Sequence, residues 1–424
     1  MKVEIVSRKL IKPTSPTPPH LRSYKISSLD QLAPPAYVPL IQYYHATGDE
    51  NDEKRTERLE KSLSEILTIF YPLAGRYIKD DQLVDCNDEG VEYLEARVSG
   101  QLAQFLQGEV KVEVLNDLAP NVMASSTTPL AIFQINMFEC GGLAIAWLMS
   151  HVVVDGISGC MFLNGWATAC RTSGINEVIR PRFDMASFLP PRPNIPSVVV
   201  PKKPGALITT KVFVFDGSSI SSLKAIACDS ALTKRQPSRV VAVTALIWKV
   251  LIAIAQAKHG HLRHSILFQT LSLRGKTALP IPDNSFGNLF MPITSRFGGD
   301  NESKMELHEL VGKLDDSIRN ALVDCKKPQN GDELFSMMTN SFKEVPDPET
   351  DIYLFTSWCR FPVYEADFGW GKPIWVSTKA KTAEMISLSD TKNGDGVEAW
   401  LTLNEKDMLL FQNHPEIKAF TSQI

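Results

Sequence analysis

The pattern of apolar and polar positions predicts a framework of buried strands and amphipathic helices. Residues 143–149 form an unbroken apolar run, which is typical of a strand buried on both faces. Residues 130–138 alternate as a second strand, and Gly141-Gly142 predicts the turn between the two. Residues 51–70 carry leucines and isoleucines at helical spacing, with acidic residues near the start, so they predict a helix.

The hydrophobic pattern predicts both strands and helices along the rest of the chain. Strands are predicted at residues 3–10, 83–86, 91–96, 209–215, 265–273, 375–378, 383–390 and 397–403, and helices at residues 218–227, 239–257 and 306–323. The polar turn at 87–90 predicts that its two flanking strands pair as a hairpin. Ser158 predicts the N-cap of a helix that follows Gly156. This mixture favours an α/β architecture with mixed sheets flanked by helices.

A proline-rich segment divides the chain into halves of similar size. A chain of 424 residues favours two domains over one core. Residues 189–208 contain repeated prolines, which prevent helix formation and stiffen the backbone. We therefore predict an N-terminal domain at 1–188, a crossover linker at 189–208 and a C-terminal domain at 209–424.

Composition and charge exclude several classes of protein. The net charge is −4, with 44 basic and 48 acidic residues and no basic run, so we expect no nucleic-acid partner. The seven cysteines are odd in number and lack C-x-x-C spacing, which argues against a disulfide framework and a zinc site. Free thiols and the absence of a secretory signal at the N-terminus favour a cytoplasmic protein, which we expect to be a monomer.

One segment has nearly the length and composition of a membrane span. Residues 240–257 are strongly apolar, but Lys249 stands in the middle, where a charge is costly in lipid. We therefore predict a core helix, with Lys249 at its edge, and no association with a membrane.

His151 is the leading candidate for chemistry. It follows the apolar run at 143–149, and Asp155-Gly156 supplies a turn after it, so the imidazole stands where a rigid strand gives way to a loop. An imidazole with a pKa near neutrality can act there as a general base. The alternative is that His151 is a hydrogen-bonded histidine of the core. Residues 151–156 taken alone would favour this alternative.

A second motif favours the interpretation of His151 as a general base over that of a core histidine. His-x-x-x-Asp-Gly at 151–156, followed by Asp-Phe-Gly-Trp-Gly at 367–371, resembles the plant BAHD acyltransferases, which move an acyl group from coenzyme A to an alcohol or an amine. Residues 24–32, 138–142 and 394–400 are similar to the alkaloid acetyltransferases of that family. The resemblance implies two domains of like topology, chloramphenicol acetyltransferase-like, with a solvent channel between them.

The resemblance also implies roles for individual residues. His151 would take the proton of the attacking hydroxyl and return it to the departing thiolate. Asp155 would turn away from the substrate and pair with Arg274, so that with Gly156 it holds the loop in shape. Thr356 and Trp358 would donate hydrogen bonds to the oxyanion, although a tryptophan at this position is equally typical of packing. The sequence contains no G-x-S-x-G elbow, so direct transfer is preferred to an acyl-enzyme.

The remaining candidates are structural or bind the coenzyme. Asp367, Gly369 and Gly371 belong to a segment of glycines and aromatic residues, which is typical of a tight packed loop. Ser238 and Arg239 begin the predicted helix at 239–257, where anions are attracted, and Lys234 lies just upstream. These three residues are candidate contacts of coenzyme A, although a solvated charged loop explains them as well.

The sequence thus predicts an acyl-CoA-dependent O-acyltransferase. The expected donor is acetyl-CoA, the expected acceptor is a hydroxyl of an alkaloid or terpenoid of plant specialised metabolism, and no metal is expected because no cluster has ligand spacing. Two alternatives stay open. One is a catalytically inactive metabolite-binding protein of the same fold, and the other is an N-acyltransferase or a cyclase on the same scaffold.

Overall fold

The computed structural model describes residues 1–46, 52–107, 112–123, 125, 127–193, 195, 207–228, 236–298, 305–340, 347, 349–381 and 383–423. Asn51, the first residue of the helix predicted at 51–70, the candidate Lys234 and most of the segment 189–208 lie outside these residues.

The described part of the chain contains sixteen β-strands. They are β1 (Val3–Ile11), β2 (Ser23–Lys25), β3 (Tyr37–Tyr44), β4 (Arg76–Ile78), β5 (Leu83–Asp85), β6 (Val91–Val98), β7 (Ala131–Phe138), β8 (Leu143–Ser150), β9 (Ile208–Phe215), β10 (Ser265–Ser272), β11 (Phe290–Phe297), β12 (Asp351–Ser357), β13 (Trp375–Ser377), β14 (Met385–Asp390), β15 (Val397–Asn404) and β16 (Ser422–Gln423).

Twelve α-helices lie in the same residues, with short 3₁₀ helices at Pro19–Leu21 and Tyr71–Ala74. They are α1 (Ser28–Leu32), α2 (Asp52–Leu67), α3 (Leu102–Gln107), α4 (Val112–Asp117), α5 (Gly156–Thr172), α6 (Met185–Phe188), α7 (Gly217–Cys228), α8 (Arg239–His259), α9 (Leu307–Asp324), α10 (Gly331–Asn340), α11 (Glu405–Asn413) and α12 (Pro415–Phe420).

Two mixed sheets and one small sheet organise these strands. The first sheet has the order β1-β6-β7-β8-β3-β13, with β6 and β7 parallel. The second has the order β11-β10-β12-β14-β15-β9-β16, with β12 parallel to both β10 and β14. Strands β2, β5 and β4 form the third sheet. The predicted α/β fold class with mixed sheets is confirmed.

Strand β13 crosses between the two halves of the sequence. It comes from the second half, yet it pairs antiparallel with β3 and completes the first sheet, with Trp375 opposite Tyr43. The buried side chains of Val363, Ala366 and Phe368 pack in the core of the same sheet. The sequence boundary at 189–208 therefore does not coincide with the division of the strands between the sheets, and the predicted domain limits stay a prediction.

The hairpin β7–β8 carries the start of the candidate site, and it forms as the sequence predicts. Gly141 adopts a φ of 76°, and the N–H of Phe138 donates to the carbonyl of Gly142 at 2.9 Å. All eight residues of β8 are buried, because β7 and β3 flank it in the sheet and cores cover its two faces. A continuously apolar strand is expected in such a place.

The predicted hairpin between 83–86 and 91–96 is wrong. β5 pairs with β2 and β4, whereas β6 pairs with β1 and β7 in another sheet. The turn residues carry the chain from one sheet to the next. Gly90, with a φ of 97°, lies so close to the backbone of Ile11 that a Cβ there would stand 2.5 Å from its carbonyl oxygen. A local turn signal does not specify which strands pair.

Helix α8 lies in the core of the second half of the chain, as the sequence predicted. It is long and apolar enough to cross a membrane by length and composition, and 67% of its most apolar 18-residue window is buried within the protein. Lys249 reaches the edge of the core, where its Nζ lies 2.5 Å from Oε1 of Glu416 on α12. Packing against the second sheet accounts for the apolar composition of this helix.

Candidate active site

His151 stands directly after β8, at the point where the strand turns into helix α5. Its N–H donates to the carbonyl of Ala36 at 2.8 Å, and the N–H groups of Val153 and Val154 donate to the carbonyl of Ser150 at 3.2 and 3.1 Å. His151 is partly exposed as a residue, with the ring of Phe290 5.7 Å away between centroids. The strand and the turn thus fix the backbone of His151.

The partner of the imidazole is Asn288. Nδ1 of His151 lies 3.0 Å from Oδ1 of Asn288. The Nδ2 of the same amide donates to the carbonyl of His151 at 2.7 Å and to Oδ1 of Asp30 at 2.8 Å. An amide oxygen only accepts hydrogen bonds, so Nδ1 of a neutral His151 carries the hydrogen and Nε2 keeps its lone pair.

Burial lowers the pKa of His151 below its ordinary value of 6.5. The positive charge of Lys381 acts in the same direction, whereas the hydrogen bond of the ring to the backbone of His151, the charge of Asp155 and the bond to Asn288 oppose the shift. Loss of water around the ring disfavours the imidazolium, so the neutral form is favoured at physiological pH. This is the form that can accept a proton.

Asp155 is part of the backbone framework of this loop. It is the N-cap of α5, where its Oδ1 accepts from the N–H of Ser158 at 2.8 Å. Its Oδ2 accepts from Nη1 of Arg274 at 2.5 Å and from the N–H of Leu289 at 3.1 Å. The expectation that Ser158 caps the helix is wrong, because Asp155 does so three residues earlier.

Arg274 ties the loop after β10 to the start of α5. Its Nη2 donates to Oγ of Ser158 and to the carbonyl of Gly287, both at 3.0 Å. Ser272 contributes locally by accepting from the N–H of Arg274 at 3.4 Å. Asp155 and Arg274 thus join segments 119 positions apart in the sequence, which is the pairing that the resemblance implied.

Trp358 reaches the same region from the second sheet. It follows β12, and its N–H donates to the carbonyl of Leu388 at 2.7 Å. Its ring lies 6.2 Å from Trp147 and 5.5 Å from Phe361 between centroids. The Trp358 ring also lies close to the first residue of α5, because a Cβ on Gly156 would stand 3.5 Å from it. Trp358 therefore packs beside the start of α5.

Thr356 and Gly156 occupy well-defined positions nearby. Thr356 lies in β12, opposite Ser387 of β14, and is partly exposed. Gly156 is the first residue of α5, and a Cβ on it would stand 2.5 Å from the ring of Phe361. Only a residue without a side chain allows this aromatic ring to approach the start of the helix so closely.

The loop at 367–371 is compact and docks on the first half of the chain. Oδ1 of Asp367 accepts from the N–H groups of Gly369 and Gly371 at 2.8 and 2.9 Å, and both glycines have a positive φ, of 104° and 96°. The guanidinium groups of Arg55 and Arg58 on α2 lie 5.0 and 5.5 Å from the ring of Trp370. These contacts fit a structural loop.

The candidate coenzyme contacts have local roles in the structure. Ser238 is the N-cap of α8, and its Oγ accepts from the N–H of Val241 at 3.2 Å. Nη2 of Arg239 lies 2.7 Å from Oδ1 of Asp390, so the charge of this arginine is matched within the protein. Contact of either residue with coenzyme A stays a prediction, and Lys234 lies outside the described residues.

Three residues near His151 were not identified as site residues from the sequence. No role in the site was predicted for Asn288, Asp30 or Lys381. Among the residues that the structure describes, no group of three or more His, Cys, Asp or Glu side chains is arranged to hold a metal ion. All seven cysteines are free thiols.

Comparison with known proteins gives the class of the chain. The sequence profile described as Transferase family matches residues 1–418. The chain is 39% identical to vinorine synthase of Rauvolfia serpentina, over 96% of each chain, and 36% identical to acetyl-CoA-benzylalcohol acetyltransferase of Clarkia breweri, over all of both chains. Stemmadenine O-acetyltransferase of Catharanthus roseus is 36% identical, over 97% of this chain and 96% of its own.

Solved structures agree with these sequence matches. The crystal structure of vinorine synthase has a TM-score of 0.86 at 35% identity and covers 99% of both chains. TRI101 of F. sporotrichioides, complexed with coenzyme A and T-2, has a TM-score of 0.74 at 15% identity, over 95% of this chain and 99% of its own, and so shares the fold. The chain belongs to the BAHD acyltransferase family and is an acyltransferase.

Proposed function

We propose that this enzyme transfers the acetyl group of acetyl-CoA to a hydroxyl group of a plant alkaloid or terpenoid. The family uses acyl-CoA donors and small-molecule acceptors, and acetyltransferases are prominent among the similar proteins. The observation that carries the proposal is the hydrogen bond between Nδ1 of His151 and Asn288, because it leaves Nε2 of a neutral imidazole free to accept a proton.

The reaction follows from this geometry in two steps. Nε2 of His151 takes the proton of the acceptor hydroxyl while the hydroxyl oxygen bonds to the thioester carbonyl carbon. The tetrahedral intermediate then collapses, the carbon–sulfur bond breaks, and the imidazolium returns the proton to the coenzyme A thiolate. The products are an ester and free coenzyme A. Both substrates are bound together, so no acyl-enzyme is formed.

The oxyanion of that intermediate needs hydrogen-bond donors. Thr356 and Trp358 are the proposed donors, since Thr356 is partly exposed near the end of β12 and the Trp358 ring packs near Trp147 of β8 and beside the start of α5. Asp155, Gly156 and Arg274 are proposed to act through the loop, because the contacts of the Asp155 carboxylate are with Arg274 and with backbone groups.

The direct test is a donor and acceptor screen with the purified full chain. The enzyme is incubated with acetyl-CoA and a panel of alcohols that includes benzyl alcohol and indole-alkaloid and terpenoid alcohols, while release of free thiol is followed. Thiol release that requires an acceptor, with a product heavier by one acetyl group, supports the proposal. Absence of thiol release with every acceptor, or a product acetylated on nitrogen alone, contradicts it.

A further inference from the structure

Asp30 is a fully buried carboxylate that bridges two distant segments. On one side it forms the capping box of α1, where Oδ2 accepts from the N–H of Ser27 at 2.8 Å and from its Oγ at 2.7 Å. On the other side Oδ1 accepts from the N–H of Asn288 at 2.7 Å and from its Nδ2 at 2.8 Å. Four donors thus surround the two oxygens, which suits the ionised acid.

The contact with Asp30 decides which way the Asn288 amide points. An amide oxygen and an amide nitrogen are nearly equal in size, so their partners set the orientation. Asp30 and the carbonyl of His151 are both acceptors and draw Nδ2 towards themselves, which leaves Oδ1 facing Nδ1 of His151. The reversed amide would place its oxygen against a buried carboxylate.

The backbone is shaped for this close approach. Gly287 precedes Asn288 and has a φ of 134°, and a Cβ on it would stand 3.3 Å from both carboxylate oxygens of Asp30. A side chain at this position would be strained by the φ value and crowded by the carboxylate. The segment that carries Asn288 therefore reaches Asp30 through a backbone conformation that favours glycine.

We propose that Asp30 is a positioning residue of acyl transfer, because its carboxylate orients the Asn288 amide and thereby keeps the hydrogen of His151 on Nδ1. The proton-accepting atom of His151 is then Nε2. This inference rests on the proposed role of His151 as the general base.

The burial of Asp30 indicates that its negative charge has a role other than stabilising the fold. Burial raises the pKa of Asp30 to about 6, although all four hydrogen bonds oppose the shift. The acid is therefore ionised at neutral pH at the expense of folding free energy, since a raised folded-state pKa lowers stability as pH rises through it. Helix capping needs the bonds to Ser27 and gives no reason for Oδ1 to bind a segment 258 positions away.

The experiment compares Asp30→Asn with the matched control Ser27→Ala. Asp30→Asn keeps the volume of the side chain but removes the charge and two of its acceptor sites. Ser27→Ala damages the same capping box and leaves both contacts between Asp30 and Asn288 in place. The ring nitrogens of His151 are observed by ¹⁵N NMR of protein labelled in its eight histidines, with His151→Ala for assignment. Melting temperature, kcat and KM for acetyl-CoA are measured alongside.

We expect a single Nδ1–H tautomer in the wild type and in Ser27→Ala, and a mixture with the Nε2–H tautomer in Asp30→Asn. We also expect kcat of Asp30→Asn to fall at least about fivefold while KM for acetyl-CoA changes little, because the loss lies in the general-base step. Ser27→Ala should lower the melting temperature without this loss.

Two results would overturn the inference. One is an Asp30→Asn protein whose His151 signals match the wild type, and the other is a Ser27→Ala protein with the same loss of kcat as Asp30→Asn. The NMR comparison needs no substrate, so it decides the role of Asp30 even if acetyl transfer itself is not observed. If Asp30→Asn fails to fold, Asp30→Glu moves the same charge relative to Asn288 and is read by the same signals.

Discussion

Arg274 and Asp155 form a buried ion pair, with Nη1 2.5 Å from Oδ2 and side chains that are only 6% and 7% exposed. The acid of the His-x-x-x-Asp motif therefore joins the start of α5 to the loop after β10. The ring of His151 is held by Asn288 instead. The motif thus combines the proposed general base with a residue that holds the loop in shape.

Removal of one partner of this pair should destabilise the fold. Arg274→Met leaves Asp155 as a buried and uncompensated charge, so we expect the free energy of unfolding to fall by about 3–5 kcal/mol. The matched control is Arg319→Met, because Arg319 and Asp316 form a pair that is 70% and 64% exposed. Its loss should be at most about 1 kcal/mol. Equal denaturation midpoints for the two variants would contradict the structural role of Arg274.

His151→Ala tests the general base. We expect kcat to fall by about 10²–10⁴-fold, the range that a positioned acid–base group contributes, while the melting temperature stays close to the wild type. His20→Ala replaces an exposed histidine and should keep full activity. Steady-state kinetics and thermal melts check both variants, and a fully active or an unfolded His151→Ala protein would count against the assignment.

The pH dependence follows from the lowered pKa of His151. In the proposed mechanism the neutral imidazole is the active form, so kcat/KM should be level above this pKa and should fall as the pH drops below it, with the midpoint below 6.5. Lys381→Met removes a positive charge that disfavours the imidazolium, so the midpoint should move to higher pH.

The control for that charge is Lys61→Met, at an exposed position of α2. Burial lowers the pKa of Lys381 to about 8, so this side chain is charged over the pH range in which His151 titrates. The effect of Lys381→Met should therefore appear on the acidic limb of the pH profile. A midpoint that is unchanged in Lys381→Met, or shifted equally in Lys61→Met, would show that Lys381 does not act on the ring.

Gly156→Ala tests the contact between α5 and Phe361. The added Cβ would stand 2.5 Å from the ring, so the aromatic group must move, and we expect a loss of about 1–3 kcal/mol in the free energy of unfolding. Gly174→Ala is the matched control, because its Cβ would meet no atom within 4 Å. Chemical denaturation of both proteins checks the difference, and equal stability would mean that Phe361 adapts freely.

Asp367→Ala tests the loop at 367–371. The N–H groups of Gly369 and Gly371 lose their acceptor, so we expect the free energy of unfolding to fall by about 1–3 kcal/mol. Asp347→Ala removes the acceptor of the Glu349 N–H at an exposed position and should change stability by roughly 0.5 kcal/mol or less. A loop variant as stable as this control would contradict the structural role of Asp367.

Local patterns predicted the elements that depend on local chemistry. The apolar run of β8 and the length of α8 were visible in the sequence, because burial on both faces of a strand and all round a helix leaves few polar positions. The predicted hairpin at 83–96 failed because the turn residues describe a change of direction and carry no information on which strands meet.

The framework around His151 depended on contacts between distant residues. Asp30 reads as an ordinary helix-capping acid, and Asn288 lies 258 positions further along the chain, so no local spacing relates them. Only folding places the amide between the acid and the ring. The pair of Asp155 and Arg274 was anticipated from the family resemblance, since its members are 119 positions apart.

The position of β13 bears on how the protein is made. On the ribosome the chain emerges from the N-terminus, so β3 exists long before Trp375–Ser377 has been synthesised. Until then one edge of the sheet that leads to His151 lacks its final strand, and an open edge can pair with other nascent chains. We therefore expect the first half to mature only near the end of translation and to aggregate when it is expressed alone.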